Sequence, residues 1–490
     1  MFSRRNTDSK RVGNAVSRFA FISCQTTVIR LTAIRHIASL ACCVLLCTTT
    51  VWAKPPNILL MVSDDQRPDT IAALGNSVIE TPSLDQLVRR GSTITRATCA
   101  NPICVCSRAE ILTGCSGVRN GVFLNSRIID ESLPRLPKPF AEAGYQTWYV
   151  GKWHNNNRPI NHGYAQTHHM FMGGGAKWWK PQVDYRGQEV TGYKGWIFRD
   201  SDDNLLPELG VGLTPRTSEV IADAAIDIIQ RSGDAPFFAH VNFTAPHDPL
   251  LIAPEFADRY DPESIPLPKN FSPQHPFDHG NAGGRDEVLL PLPRTPEDVR
   301  ADIAAYYAVI THMDAQIGRV LDALDKAGKT DNTIIVFSSD HGLAMGSHGL
   351  RGKQNMYEHT IGVPMIFVGP SIPQDRRFAA NAYLRDIFPT LCDLAGLDVP
   401  EVDGQSQVPV LRGKQDSVYD HIIGYFRDSQ RMIRTDRWKL IEYPLAQRNQ
   451  LFDLQSDPLE LDDQSQNPDR QSLIAQLHQR LHRQIDAYRK

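Results

Sequence analysis

Four apolar segments of this chain each end abruptly in charged or imidazole side chains, and they constrain its fold more than any other feature. The segments read NILLMVSDD, YQTWYVGKWH, PFFAHVNFTAPHD and TIIVFSSDHG. Between them lie stretches with helical spacing of apolar residues, among them 218–233 and 300–328. Strands that alternate with helices predict an α/β fold in which helices flank a mostly parallel sheet.

The polar residues that follow the four segments are expected to meet at one place. In open α/β sheets, ligands bind at the carboxyl ends of the strands. The side chains collected there are Asp64, Asp65, Lys152, His154, His247, Asp340 and His341. Each pair alone could be an ordinary turn, because Asp and Gly are frequent at strand ends. Their recurrence at matched strand ends favours a functional site.

Three of these side chains are carboxylates, and we expect them to hold a cation. Asp64, Asp65 and Asp340 would lie close together, and like charges at short range need a positive partner. Carboxylate oxygens are hard ligands, which favour Ca²⁺ or Mg²⁺ over zinc.

The first 53 residues have the pattern of an export signal. Seven basic residues and one acidic residue lie within 1–35, and an apolar run follows at 37–53. A basic region, a short apolar run and a small residue predict a secretory signal peptide over 1–53, cleaved after Ala53. An uncleaved membrane anchor is the alternative, although the run is short and rich in Thr and Cys for a spanning helix. We therefore predict an exported protein, periplasmic or secreted.

The rest of the chain is long enough for a large core and two domains. The full sequence has 490 residues, 41% hydrophobic and 22% charged, with a formal net charge of −3. That balance gives no indication of nucleic-acid binding. The sequence texture predicts a main domain over 54–375 and a C-terminal subdomain over 376–490. In the latter, 431–444 and 449–460 look like paired strands, and 470–488 like an amphipathic helix.

Five cysteines follow residue 53, and four of them lie close together. These four are Cys99, Cys104, Cys106 and Cys115. An odd cysteine count in an exported protein implies at least one unpaired or modified cysteine. A zinc site is disfavoured, because no histidine lies nearby at ligand spacing and C-x-C is not a usual zinc spacing.

The segment CVCSRAEILTG, residues 104–114, resembles the sulfatase signature C-x-P-S-R-x-x-x-L-T-G. The segments NILLMVSDD, GKWH, PHDP, SSDHG and HGLRGKQNMYEHTIGVPMIF resemble other sulfatase blocks, in the family's order. The resemblance begins near Asn57 and continues into the C-terminal region. It implies an alkaline-phosphatase-like α/β fold with a smaller C-terminal subdomain of antiparallel sheet and helix. It also implies an enzyme that hydrolyses sulfate esters and makes 54–375 the catalytic domain.

In that family the nucleophile is a formylglycine (3-oxoalanine), which a formylglycine-generating enzyme would make here from Cys104. One hydroxyl of its hydrate would attack sulfur, and the other would later expel sulfate and restore the aldehyde. The motif departs from the family at Cys106, where Pro is usual. Cys106 could form a disulfide with Cys104, Cys99 or Cys115. Pairing with Cys99 or Cys115 is favoured over Cys104, because a disulfide ring within C-x-C is strained. Cys106 could equally be a small buried residue in the proline position.

The resemblance also implies the roles of the site residues. One divalent cation, usually Ca²⁺, would polarise the sulfate oxygens and lower the pKa of the hydrated aldehyde. Its ligands would be Asp64, Asp65, Asp340, His341 and the oxygen derived from Cys104.

The other site residues would handle the nucleophile, the sulfate and the leaving group. Arg108 would hold the formylglycine, while Lys152 and His154 would bind sulfate. His247 and Lys353 would stabilise or protonate the departing alkoxide.

The predicted substrate is a sulfated carbohydrate. The loop 177–200 is rich in Trp, Tyr, Lys and Arg, and it could stack on sugar rings or pack its own aromatics. The Pro- and Gly-rich segment 261–298 predicts a long surface loop. A phosphonate or phosphate ester hydrolase of the same superfamily is the alternative enzyme, although Cys104 favours sulfate. A non-catalytic relative that binds sulfated glycans is a third hypothesis, supported by Cys106 alone.

Overall fold

The described part of the chain, residues 54–124 and 127–489 of a computed structural model, contains a nine-stranded sheet and a four-stranded sheet. The predicted signal peptide over 1–53 lies outside the described residues. The strands are β1 Asn57–Ser63, β2 Ser92–Thr98, β3 Gln146–Lys152, β4 Gln166–Gly173, β5 Trp196–Arg199, β6 Phe237–Asn242, β7 Thr333–Ser339, β8 Met365–Val368, β9 Arg376–Tyr383, β10 Ile422–Phe426, β11 Gln430–Arg434, β12 Trp438–Tyr443 and β13 Arg448–Asp453. The α-helices are Pro82–Arg90, Cys104–Thr113, Gly117–Asn120, Pro137–Glu142, Thr217–Arg231, Pro296–Lys326, Glu358–Ile361, Ile387–Ala395, Val408–Leu411 and Gln471–Tyr488.

The large sheet is mostly parallel, as predicted. Its strand order is β5-β4-β3-β6-β1-β7-β8-β2-β9. The run β4-β3-β6-β1-β7 is parallel throughout. Strand β8 runs antiparallel to both of its neighbours, and β5 is an antiparallel edge strand. The expected α/β class is therefore confirmed.

The four apolar segments of the sequence form neighbouring strands at the centre of this sheet. They are β3, β6, β1 and β7, in that spatial order. All residues of β1 are buried, and successive residues pack into different cores on the two faces. Helices Thr217–Arg231 and Pro296–Lys326 cover one face, and helices Cys104–Thr113 and Ile387–Ala395 belong to the core of the other. Because both faces are covered, the central strands are continuously apolar.

The small sheet is antiparallel, with the order β10-β11-β12-β13. Helix Gln471–Tyr488 packs Leu477, Leu481 and Ile485 against its apolar face. The predicted sheet-plus-helix subdomain is confirmed, but its strand assignment was wrong in detail. The segment 431–444 is two strands joined by a turn, in which the Thr435 N–H donates to the Trp438 carbonyl at 2.8 Å.

The boundary between residues 375 and 376 stays a prediction. Residues 55–490 form one compact unit, and β9 pairs with β2 inside the large sheet. Among the described residues, no helix combines the length and the apolar character needed to cross a membrane.

Candidate active site

The polar residues predicted from the strand ends lie at one edge of the large sheet. Asp64 and Asp65 follow β1, Lys152 ends β3, and His247 lies in the turn after β6. Asp340 and His341 follow β7 directly. Neighbouring parallel strands bring their carboxyl ends together, and so the sheet topology alone gathers these side chains. Their individual catalytic roles stay predictions.

Each of the three carboxylates contacts its own basic side chain. Lys152 Nζ forms an ion pair with Asp64 Oδ2. Arg108 Nε donates to Asp340 Oδ2 at 3.0 Å. Lys353 Nζ donates to both Asp65 oxygens, at 2.9 and 3.0 Å. Buried charges persist when they are paired and hydrogen-bonded, and this arrangement lets three acids share one desolvated site.

Asp65 adopts a left-handed backbone conformation, with φ of 69°. Its N–H donates to Asp340 Oδ1 at 3.1 Å, and its carbonyl accepts from the Tyr306 hydroxyl at 2.5 Å. Asp tolerates this conformation better than most residues. The turn lets two consecutive carboxylates, Asp64 and Asp65, both enter the site.

The acidic cluster fits a bound cation. Ligand atoms of Asp64, Asp65, Cys104 and His341 all lie within 4.8 Å of one another. Asp64 Oδ1 is buried and finds no hydrogen-bond partner among the described residues. Leaving such an oxygen unpaired is costly, and a cation would remove that cost. Asp340, the remaining predicted ligand, is adjacent, since its Oδ1 accepts from the N–H groups of Asp65 and His341.

Cys104 is the first residue of the helix Cys104–Thr113, and its side chain faces this cluster. Lys353 Nζ and His341 Nε2 each lie 3.4 Å from Cys104 Sγ. Burial alone would raise the pKa of the thiol, but Lys152, Lys353 and His341 outweigh it and hold that pKa well below its usual value. The sulfur marks the position from which the oxygens of a formylglycine would extend.

Arg108 lies one helical turn after Cys104 and ties the helix to the sheet. Besides Asp340, it donates from Nη1 to Asn242 Oδ1 at 2.7 Å. Asn242 ends β6, and the sequence analysis did not identify it. Its position at the end of a central strand was the available signal. The contacts of Arg108 with Asp340 and Asn242 indicate that it positions the cluster.

A cavity of about 380 Å³ opens above Cys104. His154, His247 and Lys353 line it, and Cys104 forms part of its floor with 3% of its surface exposed. Its other lining residues are Ile103, Thr191, Gly192, Tyr193, Trp196, Asn281, Gly284, Arg285, Asp286, Gln354 and Arg427. A small polar ligand can therefore reach the Cys104 side chain.

The pKa values of the two cavity histidines are shifted in opposite directions. Burial would lower the pKa of His247, but Asp65 and Asp248 raise it to about 9. Its Nδ1–H donates to the Asp248 carbonyl at 2.6 Å, which leaves Nε2 on the Asp65 side. Burial lowers the pKa of His154, whose ring meets that of Trp196 edge-on at 5.2 Å. His247 is thus suited to donate a proton, and His154 to accept one.

Tyr193 is a site residue that the sequence analysis missed. Its hydroxyl donates to Asp64 Oδ2 at 2.6 Å, and its ring packs edge-on against His247 at 4.8 Å. It belongs to the aromatic loop 177–200, where it also contacts Trp196 at 4.9 Å. The aromatics of this loop therefore pack together, and Tyr193 and Trp196 also line the cavity, while stacking on sugar rings stays a prediction.

Two distant segments complete the cavity wall. The predicted surface loop 261–298 contributes four residues, and its Arg285 pairs with Asp248 beside His247. Arg427 comes from the turn between β10 and β11 of the small sheet. The wall around the reactive floor is therefore built largely from irregular segments.

Cys106 does not take part in the cavity. It is fully buried in the hydrophobic core, and burial raises the pKa of its thiol well above the usual value. All five cysteines of the described residues are free. The disulfides considered for Cys106 are therefore not present, and Cys106 is a small buried residue in the proline position.

Comparison with known proteins finds two matching families. The family described as Sulfatase matches residues 56–397, and the family described as N-sulphoglucosamine sulphohydrolase, C-terminal, matches residues 346–487. An arylsulfatase of Clostridium perfringens is 30% identical over 445 residues, which cover 83% of this chain and 89% of that protein.

Two solved structures share the fold. One is a protein in complex with its substrate D-glucosamine-2-N,6-O-disulfate, with a TM-score of 0.74 and 23% identity; the match covers 89% of this chain and 98% of that chain. The other is the phosphonate monoester hydrolase of Agrobacterium radiobacter, with a TM-score of 0.73 and 23% identity; the match covers 89% of this chain and 96% of that chain.

Proposed function

Because this chain belongs to the sulfatase family, we propose that it hydrolyses sulfate esters of a carbohydrate through a formylglycine made from Cys104. The observation that carries this proposal is the position of Cys104. Its Sγ lies on the cavity floor, 3.4 Å from both Lys353 Nζ and His341 Nε2. A hydroxyl at that position would meet an incoming sulfuryl group from one side and the charged cluster from the other.

We propose Ca²⁺ as the cation, held by Asp64, Asp65, Asp340, His341 and the group derived from Cys104. When bound, it would supply Lewis-acid stabilisation of the sulfate oxygens. Oxygen-rich ligand sets favour Ca²⁺ and Mg²⁺ over softer ions. With the cation bound, the Lys152 and Lys353 ammonium groups would donate hydrogen bonds both to the carboxylates and to the sulfate group.

The protein's own side chains would then direct the two proton transfers. His247 and Lys353 both line the cavity, and Lys353 Nζ lies 3.4 Å from Cys104 Sγ. One of them would protonate the alkoxide as the sulfate ester bond breaks. His154, which faces Cys104 and whose pKa burial lowers, would accept the proton when sulfate is later released. Tyr193 would keep Asp64 oriented through its 2.6 Å hydrogen bond.

The cavity wall supports a sugar as the leaving group. Trp196 and Tyr193 offer aromatic surface, while Gln354, Asn281 and Arg427 offer polar and charged groups. Aromatic faces with a few placed polar groups are typical of specific small-molecule sites. The structurally similar protein that was solved with D-glucosamine-2-N,6-O-disulfate gives a first compound to test.

Mass spectrometry of the tryptic peptide 97–108 from the native protein tests the nucleophile. The mass expected for an aldehyde at Cys104 supports the proposal, and an intact thiol in the active native enzyme contradicts it. We further propose that residues 1–53 direct export, because their basic and apolar pattern is that of a signal peptide. N-terminal sequencing of the native protein tests this, with a start at Lys54 as the expected result.

Activity on matched sulfate and phosphonate esters tests the substrate class. We expect kcat/KM for 4-nitrophenyl sulfate to exceed that for the corresponding phenyl phosphonate ester. The reverse order would support the phosphonate hydrolase that shares this fold. Glycan binding with no turnover of either ester, by protein carrying the aldehyde, would support the non-catalytic alternative.

The variant H247Q tests the acid. Loss of a general acid costs about 10²- to 10⁴-fold when the leaving group is a poor one. We expect a large loss of kcat with an alkyl or sugar sulfate and a small loss with 4-nitrophenyl sulfate, which departs without protonation. Equal losses with both esters would assign protonation to Lys353 instead.

A further inference from the structure

A second cluster of metal-ligating side chains lies in the C-terminal part of the chain. His478 Nδ1 lies 2.6 Å from Glu442 Oε1, and His482 Nε2 lies 3.0 Å from Glu442 Oε2. The three ligand atoms lie within 4.8 Å of one another. The two imidazole rings are 4.3 Å apart between centroids. Two imidazoles and one carboxylate therefore converge on one point of the surface.

The secondary structure fixes this arrangement. Residues four apart on a helix lie on the same face, and His478 and His482 share one side of helix Gln471–Tyr488. The neighbouring apolar side of that helix packs Leu477, Leu481 and Ile485 into the core of the small sheet. That packing holds both imidazoles over Glu442 of β12 without any contribution from the active site.

Among the described residues, Glu442 has no lysine or arginine partner of the kind that a buried carboxylate usually has. Its side chain is 7% exposed, and among the described residues no lysine or arginine forms an ion pair with it. Arg431 is its cross-strand neighbour, but its guanidinium bonds the Arg427 carbonyl and Asp428 instead. The Glu442 carboxylate is thus left to the two imidazoles.

We propose that Glu442, His478 and His482 bind a borderline transition-metal ion of the Zn²⁺ class. Imidazole nitrogen with one carboxylate is a ligand set that suits Zn²⁺, with water completing the coordination. The ion replaces the two N–H···O hydrogen bonds, and each imidazole then carries its proton on the other ring nitrogen. A metal ion can reach this site from solvent, because the His478 and His482 side chains are 57% and 48% exposed.

The bound ion fastens the last helix of the chain to the small sheet. A ligand that binds the folded state alone stabilises it in proportion to the logarithm of its concentration over Kd. Zn²⁺ therefore raises the unfolding temperature. Because the site shares no residue with the cavity, catalytic turnover does not depend on it.

The test uses the full chain, stripped with EDTA and then saturated with Ca²⁺ to fill the active-site cluster. Zn²⁺ is added in isothermal titration calorimetry and in thermal unfolding. We expect the wild type to bind one more Zn²⁺ equivalent than the double variant H478Q/H482Q and to show a rise in Tm that this variant lacks. The control H168Q/H169Q removes another adjacent histidine pair, of which His168 contacts a single carboxylate, Asp227.

The same stoichiometry and the same Tm rise in both double variants would overturn the proposal. So would the absence of any Zn²⁺-dependent Tm rise in the wild type. If the double variant does not fold, H482Q keeps the bond from His478 to Glu442 and must still lose the Zn²⁺ effect. Activity of the wild type on a sulfate ester, measured in parallel, keeps this result separate from the proposed function.

Discussion

Two charge clusters of this protein use the same kinds of side chain and have different properties. The active-site cluster combines Asp64, Asp65 and Asp340 with Arg108, Lys152 and Lys353. The second, which we term the closed cluster, consists of Glu358, Glu460, Arg434 and Lys439. It joins helix Glu358–Ile361 to the small sheet.

The two clusters differ in how closely nitrogen atoms approach their carboxylate oxygens. In the closed cluster, each of the four carboxylate oxygens lies within 2.9 Å of a nitrogen, although Glu460 Oε1 contacts Lys439 only as an ion pair and accepts no hydrogen bond among the described residues. In the active-site cluster, Asp64 Oδ1 has no hydrogen-bond partner among the described residues, and its ion-pair contact with Arg108 is 3.8 Å long. The active-site cluster also adjoins the cavity, which none of the closed-cluster residues lines. Incomplete pairing beside an opening distinguishes a binding site from a structural ion-pair network.

The largest expected effect is that of C104A. It removes the proposed nucleophile and should lower kcat on a sulfate ester by about 10⁴-fold or more. Thermal stability should change little, because the helix around Cys104 keeps its packing. The control C106A lies on the same helix outside the cavity and should retain the aldehyde at Cys104 and measurable turnover. Comparable activity in C104A and wild type would exclude Cys104 as the nucleophile.

Removal of the cation should give the next largest effect. Dialysis against EDTA should lower kcat by at least about 100-fold, because the Lewis acid and the partner of Asp64 are lost together. Added Ca²⁺ should restore activity in proportion to site occupancy measured by elemental analysis. Full activity in protein shown to be metal-free would contradict the assigned role of the acidic cluster.

In the closed cluster, the variant K439M should affect stability rather than chemistry. It leaves the buried Glu460 without its basic partner and the partly exposed Glu358 with Arg434 alone, and should cost about 3 kcal/mol in the free energy of unfolding. Denaturant titration measures that loss, with K414M, an exposed lysine, as the control. The kcat per folded molecule should equal that of the wild type. A selective fall in kcat would show that the two clusters are coupled.

The smallest expected effect is that of Y193F. It removes one hydrogen bond to a charged group, and such bonds contribute about 1.5–3 kcal/mol. We expect kcat/KM to fall by about 10-fold and the affinity for Ca²⁺ to fall with it. The matched control is Y185F. The Tyr185 hydroxyl donates to Asp302 Oδ1 at 3.0 Å, and Tyr185 lies in the same loop as Tyr193 but outside the cavity. Equal losses in both variants would assign Tyr193 a structural role.

The sequence was sufficient to predict the centre of the fold and the charged edge of its sheet. Long apolar strands are recognisable locally, and parallel topology then brings their ends together. Tyr193 and Arg427 were not predictable in this way, because irregular loops acquire their positions only through packing in the finished fold. The pattern of segment 431–444 predicts one strand, because the polar turn around Thr435 interrupts its apolar residues only briefly.

The helix Cys104–Thr113 has all ten of its residues buried. An enzyme that modifies the Cys104 side chain cannot bind a segment that is buried in this way. Under the proposed function, the aldehyde must therefore be installed while the chain is still being made or moved through the cell. This modification would therefore have to precede folding. Under the proposed function, a chain that folds before it is modified would keep the thiol at Cys104.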